Sequence, residues 1–538
     1  MKNIFKFLFS ILIISQLCAN QNIVLEELKA YPKSISRDFY IWQYLHQDIS
    51  PLQAQESLEL IYNMNNKLFF AYANKTNNDE IKGVANCMQA QGNKLYKQND
   101  DCIINGLSML KATVLDRSQL DTIVQTIKSN YPKKAKQYKI LNSSIPFTKL
   151  MMSDNDTFFA VFNKCGNKYR RRYFNYKLSS RKLKRLSKNN SRDFETMLQT
   201  IITDPNLENM QKSILDINVS KLSLDTKFLF GVNLAKYKNN DQAMKLFAEV
   251  GQKSHTQADR DKGIFWQYLI TKNVDYLERL ANSKDINIYT LYADDIMGLT
   301  PQNIVIDVHL DTTKKSTFDT TSPLQWSNVL QALSENNSTK IEYYKSILNI
   351  PETKSQYAYI ISKSDDKNYF LRPYDEYMKS LPVERKVMIN AIARQESRFI
   401  PSAVSYSYAQ GMMQIMPFLS QFLAIDLKEQ YNIFNMFDYR TSIRFADKHL
   451  FFLEKSLNHP LFIAYAYNGG IGFTKRMLEN GYFGVGDYEP FLSMETVPLK
   501  QPREYGKKVL ANSVIYRQIY GLPTSIIRVI KTAVSSSH

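Results

Sequence analysis

Apolar residues recur three and four positions apart along most of the chain, in runs of modest length divided by short polar connections. That spacing places an apolar stripe on one side of a helix. It predicts a succession of amphipathic helices, for example over Leu52 to Phe70, Thr196 to Ile202, Thr226 to Tyr237 and Asn240 to Val250. Extended character is confined to Asn303 to His309, which leaves room for a short strand pair. The 17 Gly and 17 Pro are spread thinly, which argues against the many turns of an all-β protein. The expected fold class is all-α, mainly.

The run Asn240 to Val250 reads as one helix of a tetratricopeptide-type hairpin, but no strict period repeats. Residues 20–360 are therefore expected to form an irregular α-superhelix, not a regular array. Aromatic residues crowd Tyr357 to Tyr377, and Arg372-Pro373-Tyr374 breaks the helical pattern there, so a linker is expected. A second domain is expected over 361–522 and a frayed tail over 523–538. A chain of 538 residues has room for both.

Charge and the first residues change the picture. The formal charge of +18 suits nucleic acid, an anionic membrane surface or an acidic polymer. Lys2 and Lys6 precede an apolar run from Phe7 to Leu17, and Leu17-Cys18-Ala19 ends it on a small residue. This predicts a secretory signal peptide over 1–19, cleaved after Ala19, with an apolar run too short to span a membrane. Leu17 is a poor residue before a lipidated cysteine, and no later apolar run is long enough for a span. The expected location is periplasmic, exported and soluble. An exported chain makes nucleic acid an unsuitable partner for the basic stretch 164–192, where Tyr169, Tyr173, Phe174 and Tyr176 interleave with the cations. The plain expectation for that stretch is a solvated helical face; a richer one is steering of a carboxylate-rich polymer.

Cleavage leaves Cys87, Cys102 and Cys165. In an oxidising compartment Cys87 and Cys102 suit a bridge across a helix-turn-helix, with three separate buried thiols as the alternative. The six histidines are scattered and none stands at ligand spacing from Cys or Glu, so no metal and no cofactor are expected.

The strongest chemical signal is Glu396. Val383, Val387, Met388, Ala391 and Ile392 recur at helical spacing, with Pro382 suited to the first turn and Ser380 a candidate cap. Met388, Ile392 and Glu396 stand four apart, so the carboxyl is expected on the apolar side of the last turn. Poor hydration and the helix dipole disfavour an anion there, which suits a general acid. The alternative is a helix-terminal Glu turned to solvent. Downstream come Gly411-Met412-Met413-Gln414-Ile415-Met416-Pro417, then Ala464-Tyr465-Ala466-Tyr467-Asn468-Gly469-Gly470, then Met494-Glu495-Thr496-Val497-Pro498.

These four ordered motifs resemble the catalytic domain of the soluble lytic murein transglycosylases, the Slt type. Two departures stand out: Met412 where the family usually has Leu, and Tyr408 where it often has Gly. The first is nearly isosteric. The second is expected to set a large ring beside the sugar groove. The resemblance implies a ring-shaped α-superhelix carrying a lysozyme-like catalytic domain. It also implies cleavage of the β-1,4 bond between N-acetylmuramic acid and N-acetylglucosamine, with a 1,6-anhydro product. Carried over by motif, Glu396 would be the acid and then the base. Ser405 would hydrogen-bond near the scissile sugar, and Gln414 and Met416 would line the groove. Tyr467 and Asn468 would orient the acetamido group or the glutamate, and Glu495 would bind substrate or tune the site. Expected partners are peptidoglycan strands and other cell-wall enzymes.

No Asp or Glu occurs between Ser397 and Ile425, so the usual pair of carboxylates is not evident. Two alternatives stay open. One is a muramidase-type hydrolase using Glu495 or another acid to activate water. The other is a non-catalytic scaffold for cell-wall components.

Overall fold

The computed structural model describes residues 22–188 and 191–536. The expected leader over 1–19 lies outside the described residues. Nearly all regular structure is helical, as expected, and helix starts follow local chemistry. The side chains of Asn78, Asn99, Ser191 and Ser223 each accept a backbone N–H of the first turn. Among the described residues no helix is long and apolar enough to cross a membrane.

The chain forms two compact units that interleave in sequence. One comprises residues up to 77, 301–467 and 508–524; the other comprises 78–300, 468–507 and the residues from 525 on. The expected division into consecutive segments at about residue 360 is not how the compact units fall.

In the first unit, the expected helix over Leu52 to Phe70 is broken in two. A helix over Pro51–Ser57 runs into a 3-10 turn, and a new helix begins at Asn66–Ala73. The break has two causes. The Asp38 carboxylate accepts the backbone N–H groups of Tyr62 and Asn63, holding them outside a helix. Asn65 then caps the next helix through the N–H of Leu68. The expected strand pair is present: Ile304–Val305 runs parallel to Asn368–Tyr369, with Ile304 opposite Asn368. Its second strand falls within the stretch expected to be a linker. That stretch is packed instead, with Phe370 and Leu371 buried. The Tyr516 hydroxyl donates to the Leu371 carbonyl.

The second unit contains three consecutive helices over Leu224–Lys236, Asn240–Lys253 and Gln257–Thr271. Their shared core is aromatic: the Phe247 and Trp266 rings lie 5.3 Å apart, and both meet Phe228. Close approach of the last two helices depends on Gly263. A Cβ there would stand 2.6 Å from the Gly251 nitrogen and 2.8 Å from the Phe247 carbonyl oxygen. Earlier in this unit Cys87 and Cys102 are bridged, joining the helices Asp79–Gln89 and Asp100–Gly106. Cys165 is a buried thiol, pushed up by that burial.

Candidate active site

Glu396 ends the helix Val383–Glu396. Met388 and Ile392, about two turns and one turn earlier on the same side, are buried, and Glu396 itself is half-buried. The helix start differs in detail from expectation. Pro382, not Ser380, takes the cap position, and no side chain caps it. The end of the helix is fixed from behind. Arg394 is buried against the Phe370 ring at 3.7 Å. It donates to the Tyr369 carbonyl and to the side chain of Asn512. Asn512 in turn donates to the Ala391 carbonyl. A carboxyl on a helix held in this way has a defined position, which acid catalysis requires.

The loop 403–416 faces this helix end, and three side chains bind its backbone. Ser397, the residue after Glu396, donates through Oγ to the Met412 carbonyl at 2.8 Å. Tyr467 donates through its hydroxyl to the Met413 carbonyl at 2.8 Å. Ser442 accepts the Met413 N–H at 3.1 Å. Gly411 is required by geometry: its φ is +74°, and a Cβ would lie 2.0 Å from the Met436 carbonyl oxygen. Ser397 and Ser442 fix this loop without having been singled out by the sequence: the first directly follows Glu396, and the second carries no local signal.

The residues expected to touch substrate are placed as follows. Ser405 is half-buried, and its Oγ accepts the Ala409 N–H at 3.0 Å, so it closes a turn of the loop. Gln414 sits at φ +49°, and its side-chain amide donates inward, to the carbonyls of Ala403 and Gly411. Met416 is half-buried and starts the helix Pro417–Leu427, whereas Met412 and Met413 are core. Tyr467 feels the Glu396 carboxylate electrostatically. Burial, and then the nearby Glu396 carboxylate, hold its phenol far above the usual range, so it stays a donor. Its ring lies 5.5 Å from that of His449, which burial pushes down to about 4. Asn468 is half-buried in the last turn of the helix Pro460–Gly469.

Glu495 does not match its expected role. It lies in the second unit at 1 % exposure. One oxygen accepts from the Tyr289 hydroxyl and the other from Lys507 Nζ at 2.6 Å. Lys507 also meets Glu504. A carboxylate with both oxygens engaged in a buried ion pair serves the packing of that unit. Its partners are remote in sequence, which is why the motif alone suggested a ligand.

The expectation for Tyr408 is also overturned. The ring is fully buried. It stacks on Trp42 at 5.2 Å and meets the edge of Phe39 at 5.9 Å. Lys67 lies over both the Trp42 and the Tyr408 rings, and burial pushes its amine down to about 8. Nearby, Asn65 donates to the Tyr406 carbonyl. The helices Ile35–Tyr44 and Asn66–Ala73 thus grip the loop that carries Ser405 and Gln414. Tyr406, not Tyr408, is the exposed ring of this loop, at 62 %.

Glu396 thus ends a fixed helix in the same unit as Tyr467, which ties down a glycine-dependent loop. Residues 377–485 match the family model for the transglycosylase SLT domain, in line with the motif resemblance. Curated relatives include the soluble lytic murein transglycosylases of Salmonella typhimurium and Escherichia coli K12. They are 26% identical over 220 and 212 residues, covering 38% of this chain and 32% of each relative. The chain spans about a third of the length of the curated relatives it matches. Similar solved structures include an inactive variant of lytic transglycosylase Slt from Pseudomonas aeruginosa. It has a TM-score of 0.48 and 15% identity, covering 94% of this chain and 91% of that one. Another is the 70 kDa soluble lytic transglycosylase of Escherichia coli, with a TM-score of 0.46, 14% identity, and coverage of 95% and 91%.

Proposed function

We propose that this chain is an exported lytic transglycosylase acting on peptidoglycan, with its catalytic segment within 361–522. The observation that carries the reading is Glu396 at the end of an anchored helix, acting electrostatically on Tyr467, which holds the loop 411–416. In the proposed reaction Glu396 gives its proton to the glycosidic oxygen between N-acetylmuramic acid and N-acetylglucosamine, and the C1–O bond breaks. The 2-acetamido group of the muramic acid stabilises the cationic C1. The Glu396 carboxylate then takes the proton of the muramic C6 hydroxyl, whose oxygen closes on C1. The product is a 1,6-anhydro sugar, and water is not consumed. One carboxyl acting as acid and then base fits a segment without Asp or Glu from 397 to 425.

Water activation by Glu495, the hydrolase alternative, gains no support from a carboxylate committed to Tyr289 and Lys507. Ser405 and Gln414 act in this reading by shaping the loop, and Met416 by lining the sugar groove. Export to the periplasm is supported by the leader pattern and by the Cys87–Cys102 bridge.

The test is mass spectrometry of products from purified sacculi. Wild-type protein is expected to release anhydro-muropeptides, one water lighter than reducing-end muropeptides. Glu396→Gln is expected to lower turnover by about 10²–10⁴-fold while keeping the fold and glycan binding. Reducing-end products, or full activity in the variant, would sink the mechanism.

A further inference from the structure

Apart from the candidate active site, the first unit holds a cavity of about 540 Å³, a volume in the range of small-molecule sites. Its walls are fixed. The Ile23 N–H donates to Gln47 Oε1 at 2.7 Å, and Gln47 Nε2 donates to the Ile23 carbonyl at 3.0 Å. Arg37 donates to the Tyr31 carbonyl at 2.8 Å, and the Tyr40 ring lies 5.4 Å from that of Phe434. Ile23, Leu28 and Leu324, all buried, supply the apolar lining.

The polar lining is one-sided in charge. Glu27 is exposed, and among the described residues it is in no ion pair, whereas its neighbour Glu26 takes Lys29 at 2.6 Å. Tyr31 and Tyr40 are half-buried, and among the described residues neither hydroxyl has a hydrogen-bond partner. Burial first, then the Asp319 carboxylate and the Tyr31 phenol, push the Tyr40 phenol up, so it keeps its proton at neutral pH. The Asp319 carboxylate is itself held by the Thr321 N–H at 2.8 Å and the Thr321 hydroxyl at 2.7 Å. Among the described residues no Lys, Arg or His lines the cavity, although the chain carries a formal charge of +18.

Solvation accounts for an exposed Glu27, but not for a concave site whose acceptors meet no protein donor. An ammonium carries three donors and no acceptor. The carboxylate and the two phenol oxygens can accept from it, and tyrosine ring faces attract its charge. An anion is repelled by Glu27 and Asp319. A metal ion finds one lining carboxylate and no histidine or thiol. We propose that this cavity binds a small organic cation, a primary ammonium on a short apolar stem, with the stem against Ile23, Leu28 and Leu324. The site is independent of the proposed reaction.

The test is isothermal titration calorimetry of the full chain with pentylammonium chloride. Pentanol and sodium pentanoate serve as neutral and anionic probes of the same length. Pentylammonium is expected to bind saturably and about tenfold more tightly than pentanol, with pentanoate unbound. Raising the salt should narrow the difference from pentanol. Glu27→Gln should weaken pentylammonium about tenfold and leave pentanol unchanged. Ala30→Trp, at an exposed position of the lining, should weaken both by occluding the cavity. Circular dichroism verifies the fold of each variant. Glu80→Gln, at an exposed acid of the second unit, should change nothing. Absence of saturable pentylammonium binding, or equal affinity for pentylammonium and pentanol, would overturn the proposal. So would unchanged affinity in both Glu27→Gln and Ala30→Trp. Glu396→Gln should bind pentylammonium as the parent does, so failure of the reaction and failure of this site are read apart.

Discussion

Tyr408 holds a left-handed backbone at φ +61°, a conformation that costs a non-glycine residue about 1 kcal/mol. Full burial against Phe39 and Trp42 outweighs that cost. Tyr408→Ala is expected to lose about 3 kcal/mol of stability and to loosen the loop 403–416. Urea denaturation and hydrogen exchange at that loop would measure both. Tyr408→Phe keeps the ring and should lose less than about 1 kcal/mol. His449 gives a pH dependence of known sign. The unfolded chain takes its proton near 6.5, whereas burial holds the folded value at about 4. Between those values the unfolded state binds more proton, so stability falls as pH drops from 6.5 towards 4, with no such loss above 6.5. His449→Gln should flatten that slope in urea melts at pH 4.5 and 7. The helix end at Glu396 and the turn at Gly411 are legible in the sequence because each is a short local pattern. The burial of Tyr408 was not legible, since its partners lie more than three hundred positions upstream and local spacing carries no trace of them.

Helices show the same division. The periodicities over Thr226 to Tyr237 and Asn240 to Val250 match helices at Leu224–Lys236 and Asn240–Lys253 closely. Those segments carry their own apolar stripes, and Ser223 caps the first. The run Leu52 to Phe70 was misread as one helix because its break is set by Asp38, a residue of another helix. The Cys87–Cys102 bridge ties two short helices that bury little surface of their own, Asp79–Gln89 having one buried residue. Closing a loop of that length contributes about 3 kcal/mol. Replacing both cysteines with serine should therefore lower the denaturation midpoint by that equivalent. Catalytic turnover measured at 25 °C should be retained, because the bridge belongs to the second unit and Glu396 to the first.

At the scale of the molecule, the first unit draws on residues up to 77 as well as on 301–467 and 508–524. A fragment limited to 361–522 would leave Tyr408, Phe434 and Phe437 without the Phe39 ring that they meet. We expect that fragment to lack a cooperative thermal melt and to aggregate, whereas the full chain melts cooperatively. Calorimetry on both would decide, and an independently folded fragment would refute the expectation. The sequence by itself determined the helical class, the order of the motifs and the place of Glu396 at a helix end. Periodicity, capping and turn chemistry are local, and each can be read within a few residues. Tertiary structure alone decided that Tyr408 is an anchor, that Glu495 is a buried ion-pair partner, and that the N-terminal helices belong with the catalytic loop. Those facts depend on which distant surfaces meet, and the hydrophobic effect that drives such meetings is non-directional. A sequence thus marks a face for burial without specifying its partner.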